Sequence, residues 1–409
     1  MPINTATGAF TYTSPTVATG EVAGNTIPSA GWNQIHTDLQ NASTQIYQQY
    51  LAGQTIGKNL VWGNGGFEVW QRGAGSSTAI NVNSTGGTYT ADRWYLVTAA
   101  SVTCSVAAVA GIDTPNNSTL ACQITRNSGT TAAASSFGYP LDTESCFALR
   151  GQKVAVSFWA KTGAGWSPTN GTIQLTVVAG TGSPVKNIVG YTNQTIVWQG
   201  TVNITAGAAA ALYTSSSFTI NTNVAAATNI NQAEVQFFWT YQGAASATDQ
   251  ITFDNVQIEV QGSLAAPYTN AGYVGGAYDH LPFDVMLYDC RQHYQKTFPY
   301  SIAPAQNVGT ATGGAGIAAV ASGAAGIAKV AQMWLFNPPM RASPSTITTY
   351  HPSAATANWF NTGNSGGTVA TVAATVTISS SMGALIYSAS VSASVGDMLV
   401  IHATADAGI

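Results

Sequence analysis

Between residues 59 and 262 the apolar side chains of this chain recur at every second position in short runs, and Gly, Asn or Pro breaks each run. A period of two puts alternate side chains on opposite faces of an extended strand, so each run can bury one face against a core. The runs include NLVW, YTADRWYLVTA, SVTCSVAAV, TLACQITR, KVAVSFWAK, IQLTVVAG, QTIVWQGTV, ALYTSSSFTI, AEVQFFWTY and DQITFDNVQIEV. They are rich in Val, Ile, Thr and aromatics, which fit a pleated, half-buried surface. Alternation is clean in two of them: Val154, Val156 and Phe158 share one face, as do Val235, Phe237 and Trp239. About ten strands without a helix of note predict an antiparallel β-sandwich.

The flanks differ. Residues 1–28 are rich in Thr, Gly and Pro, show no helical period and read as an extended arm. Pro28 and Ser29 then start a helix in which Trp32, Ile35, Leu39, Ala42 and Ile46 follow at spacings of 3, 4, 3 and 4. That is a heptad seam, and two heptads are marginal alone. The seam predicts association between copies, as a homotrimer; the alternative is one amphipathic helix packed on its own domain. Residues 263–300 read as a Gly/Tyr-rich connector and a helix from Asp284, with Met286, Leu287, Cys290 and Tyr294 on one face. Strand-like runs return in 301–409: VAQMWLF, STITTY, TVATVAATVTIS, ALIYSASVS and MLVIHATADAGI. The expected fold class is mainly β: an N-terminal anchor with a short coiled-coil helix (1–58), a sandwich (59–262), a connector with a short helix (263–300) and a C-terminal β-domain (301–409).

Charge narrows the function classes. Only 7% of residues are charged and the net charge is −4. A nucleic-acid partner needs a basic stripe, so none is expected. No window approaches the length of a membrane-spanning apolar helix. No charged residue lies between Lys186 and Glu234, nor between Arg341 and Asp397. Such a surface suits a subunit covered by its neighbours in an assembly. The N-terminus lacks the basic and apolar regions of a secretory signal, so assembly in a cytoplasm is expected. Cys104, Cys122, Cys146 and Cys290 form no CxxC or Cys/His cluster and read as small buried hydrophobes, with a Cys104–Cys122 bridge as the alternative. The five histidines sit in no GxSxG or HExxH context, and the sixteen acids are mostly single. No catalytic residue is therefore proposed, and the chain is not expected to be an enzyme.

NLVWGNGGFEVWQRG followed by YTADRWYL resembles the opening of jelly-roll modules in bacteriophage tail-fibre and other virion appendage proteins. TFDNVQIEVQGSLAAPY is similar to their closing strand, and DCRQHYQKTF to the helix that follows it. PMRASPSTITTYHPSAATANW and HATADAGI resemble the C-terminal domain of the same proteins. The resemblance covers roughly 59–409 and extends to carbohydrate-binding modules of the galactose-binding-like type. It implies a structural virion protein, a tail fibre or tail-tip appendage that binds host-surface glycan and is attached to other virion proteins through 1–58. A head-attached fibre or capsid decoration protein, or a non-viral carbohydrate-binding module, is the alternative.

The same resemblance implies a structural calcium held by Asn64, Glu68 and Asp254. From the residues themselves, Glu68 in a strand needs a partner, and Arg72 or Arg93 can supply one. Sugar binding needs aromatics to stack on pyranose faces. Trp166, Tyr191, Trp198, Tyr213 and Tyr241 are candidates, with Trp166 expected to be exposed in its loop. In the last domain Tyr350, His351, Trp359 and Phe360 lie in a loop-rich stretch expected to form a distal tip.

Overall fold

Antiparallel strands with one apolar face must bury it, and here two sheets bury theirs against each other. In the first sheet the strands run Ile80–Val82, Thr103–Ala110, Leu120–Ser128, Gln250–Gln261, Lys153–Thr162 and Ala211–Thr214. In the second they run Thr88–Tyr89, Tyr95–Thr98, Ala133–Leu141, Gln232–Tyr241, Thr172–Thr181 and Thr192–Asn203. This is a jelly-roll sandwich, seen in a computed structural model. It describes residues 59–408 apart from 60, 62, 74–78, 130–131, 152, 184–185, 187–189, 216–217, 220–222, 226–227, 262–277, 279, 310–315, 324–327, 363–367 and 392. The helix residues Trp32, Ile35, Leu39, Ala42 and Ile46 lie outside the described residues. Asn59–Ile409 forms one compact unit.

The core follows the period-two reading. Val154, Val156 and Phe158 of one sheet meet Val235, Phe237 and Trp239 of the other, all buried. Phe158 meets Phe237 edge to face at 4.9 Å, and Trp94 stacks on Phe137 at 4.7 Å. All four cysteines are free and buried. Cys104 lies opposite Arg126 and Cys122 opposite Ala108, so the alternative bridge is out of register.

Some elements differ from expectation. Of NLVW, Val61 lies in a turn, its N donating to Asn59 Oδ1 at 3.0 Å and its O accepting from Gly65 N at 2.9 Å. In the turn that follows, the Asn64 amide donates to Val69 O and Asp92 O and its Oδ1 accepts from Val69 N. The helix spans only Phe283–Arg291. Tyr294–Lys296 leaves it to pair with Met398–Asp406, the hub of the C-terminal sheet. That hub also pairs with Ile317–Val320, Thr346–Tyr350 and Asn358–Asn361. A second small sheet joins Ala328–Leu335, Gly383–Val391 and Thr375–Ser380.

The segment around Glu68 joins the sandwich to the C-terminal strands. Trp70 N donates to the Tyr300 hydroxyl at 2.8 Å, which donates to Glu68 O at 3.0 Å. Arg72 pairs with Asp406 at 2.9 Å and Asp92 at 3.5 Å, between the rings of Tyr89 and Tyr294. Arg93 pairs with Asp142 and Asp289, each at 2.9 Å, and Arg341 with Asp142 at 2.6 Å. Contrary to expectation, Arg72 and Arg93 are engaged by aspartates rather than by Glu68. Glu68 accepts instead from Thr119 Oγ1 at 3.4 Å.

Candidate functional site

The aromatics expected to meet a ligand are largely core. Trp166 is 4% exposed, its ring 5.9 Å from Trp239 and 5.8 Å from Tyr241. Its loop folds it inward because burying an indole outweighs leaving it in water. Tyr191 and Tyr241 are buried, and Trp198 and Tyr213 pack partly buried on the same core. Trp359 is fully buried in the C-terminal core, at an inward position of Asn358–Asn361. His351 is fully buried too: its N donates to Gln306 Oε1, and its Nδ1 accepts from Ser353 N at 3.0 Å. Tyr350 is half-buried, edge-on to Phe298 at 5.4 Å. Trp166, His351 and Trp359 are thus not the exposed residues expected, and Trp166 stands in a different core from Trp359.

The calcium set does not fit the ion. Asn64 is committed to the turn described above. Asp254 is buried, with Oδ2 accepting from Ile112 N at 2.8 Å and Asp113 N at 3.1 Å, and Oδ1 from Ser118 Oγ at 3.0 Å. Burial pushes its carboxyl up, against the pull of those bonds. Calcium favours six to eight oxygen ligands, whereas protein donors already hold the two buried members. Elsewhere, Asp142, Asp289 and His293 come within 4.8 Å of one another, but the guanidiniums of Arg93 and Arg341 supply the positive charge there.

A groove of about 290 Å³ lies on the outer face of the second sheet. Along Gln232–Tyr241 the half-buried residues on the face away from the core are Gln236, Phe238 and Thr240. Register builds cross-strand rows from them. Phe238 lies opposite Gln174, which lies opposite Thr201; Gln236 lies opposite Thr176, which lies opposite Gln199. Side chains so paired are neighbours on one face. Phe238, Thr240, Gln174, Thr172 and Thr201 line the groove, and Pro168, Asn170 and Gln242 close one end.

A buried ion pair shapes that end. Arg126 and Asp249 are both fully buried and 3.3 Å apart. Arg126 donates to Gln242 O at 3.1 Å and Gly243 O at 2.8 Å. Asp249 accepts from Ser167 N at 3.1 Å and Ser167 Oγ at 2.9 Å, and Ser167 Oγ accepts from Gln242 N at 3.2 Å. Trp166 packs beneath this wall, so it supports the groove rather than lining it.

Each glutamine amide offers both a donor and an acceptor, and each threonine a hydroxyl. With one aromatic ring among them, these groups match a ligand that alternates hydroxyls with C–H faces. The readable signal was the pair Phe237–Phe238: in an alternating strand only one of two adjacent aromatics can face the core.

No family model and no curated protein matches the chain. Among solved structures, it is similar to the enzymatically active domain of bacteriophage CBA120 tailspike protein 4, at 20% identity and TM-score 0.26. That match covers 50% of this chain and only 21% of the tailspike chain. It is also similar to the C-terminal family 22 carbohydrate-binding module of Clostridium thermocellum Xyn10B, at 15% identity and TM-score 0.26, covering 45% of this chain and 100% of that one. A third is the cyclase Fisc from Fischerella sp. TAU, at 12% identity and TM-score 0.28, covering 45% and 98%.

Proposed function

We propose that this chain is a glycan-binding structural subunit of a bacteriophage virion, a tail fibre or tail-tip appendage. The observation that carries the binding is the groove: rows of Gln and Thr around Phe238 on an exposed sheet face. The virion role is supported by the motifs that open and close the sandwich. Residues 1–58 attach the subunit to other virion proteins and trimerise it through the seam from Trp32 to Ile46. Weak contacts at each groove are multiplied by valency across the particle.

In this reading the chain binds and does not cleave. The groove lining holds no charged side chain among the described residues, so it lacks the two carboxylates of a glycosidase. An oligosaccharide array probed with the full chain tests the binding: retention of a glycan class is expected, and a blank array contradicts it. Sedimentation tests the trimer, with three times 42.1 kDa expected and a single 42.1 kDa species against it.

A further inference from the structure

We propose that the groove selects uncharged glycan segments and rejects those bearing carboxylate, sulfate or phosphate groups. This rests on the glycan-binding reading above and adds the charge class of the ligand. No charged residue occurs in the wall segment 166–171, nor in the strands Thr172–Thr181 and Thr192–Asn203 that carry the polar rows. A guanidinium does stand behind the wall, but Arg126 is fully buried and paired with Asp249. Lys186 is engaged away from the groove lining: its ammonium donates to Gly87 O at 2.9 Å and lies 4.9 Å from the Tyr89 ring centre.

The charge on the strand of Phe238 is negative. Glu234 lies four residues from Phe238 on the same face, about 13 Å along an extended strand. Its carboxylate accepts from the hydroxyls of Tyr95 and Tyr191. An anionic sugar entering the groove gives up water around its charge and gains no cation in return, which is costly. A neutral sugar gives up water around hydroxyls only, and the amides of Gln174 and Gln242 with the hydroxyls of Thr172, Thr201 and Thr240 replace it.

The test uses the full chain on an array of neutral oligosaccharides paired with uronate-, sialate- and phosphate-bearing counterparts, at low and high salt. The native chain is expected to bind neutral members at least about tenfold more tightly than their acidic counterparts, with little salt dependence. Thr201 is exposed, so Thr201→Lys places an ammonium beside the groove without disturbing the core. It is expected to raise binding of the acidic members and to narrow the neutral-over-acidic ratio, even where loss of the Thr201 hydroxyl weakens the neutral ones. Acidic members bound as tightly as neutral ones by the native chain overturn the charge class while the glycan reading stands. Neutral binding that survives Phe238→Ala places the ligand elsewhere and also overturns it. An array blank for both the native chain and Thr201→Lys removes the glycan reading itself.

Discussion

Phe238 faces the groove and its neighbour Trp239 faces the core, and this division gives the two residues different consequences on substitution. Truncating a central aromatic of a binding site typically costs about 2 kcal/mol, roughly 30-fold in Kd. Phe238→Ala is therefore expected to weaken glycan binding by that order while leaving the melting temperature nearly unchanged, because its ring lies outside the sandwich core. Calorimetric titration beside a thermal melt checks both; unchanged affinity would count against the groove. At this scale the sequence shows which residues are aromatic, and alternation sorts them where a strand is regular. Phe158 and Phe237 were legible in that way. Trp166 was not, because a loop residue has no period to reveal whether it turns toward water or toward Trp239 and Tyr241. Asp254 entered the sequence reading only as a calcium ligand implied by the resemblance, because its partners, the backbone amides of Ile112 and Asp113, lie over 140 residues away in sequence.

Among the elements, the strand Ala133–Leu141 escapes sequence reading although it pairs with Gln232–Tyr241 along nine positions. Its run AASSFGYPL mixes Ser, Gly and Pro, and nearly all of it is buried on both faces, so no alternation survives. Tyr294–Lys296 was read as helix because helical and strand periods agree over so few residues; pairing with Met398–Asp406 decides it. The joint between these elements makes the fold sensitive to acid. Burial raises the Asp142 carboxyl, but Arg93, His293 and Arg341 together outweigh it and hold it below the usual carboxylate range. Burial, reinforced by Arg93, pushes His293 well below the usual imidazole range. Both shifts have the same sign: the unfolded chain takes up protons that the folded joint refuses, so stability falls as pH falls. His293 contributes fully above about pH 6.5 and loses its contribution below that, and Asp142 begins to lose its own below about pH 4. Burial also lowers His351, and pushes His402 down to about 4, so these add to the same window. Thermal melts across that range are expected to show a falling melting temperature, with a shallower fall in His293→Gln. Equal slopes in the two proteins would contradict a role for His293.

Over the whole molecule, the mainly β class and the sandwich were readable because they rest on period and punctuation, which are local. The groove was not, since it arises from register between the strands Thr172–Thr181, Thr192–Asn203 and Gln232–Tyr241, and from a wall fixed by Arg126 and Asp249. Register is a long-range property that no single run encodes. The loop-rich aromatics Tyr350, His351, Trp359 and Phe360 pointed the sequence reading toward the C-terminal domain, whereas the exposed polar rows lie on the sandwich. Hydrogen–deuterium exchange on the full chain, with and without its strongest array ligand, compares the two places directly. Slower exchange in 172–176, 199–203 and 236–242, with 346–361 unchanged, is the predicted result. Slower exchange in 346–361 with no change on the second sheet would contradict the groove as the ligand site.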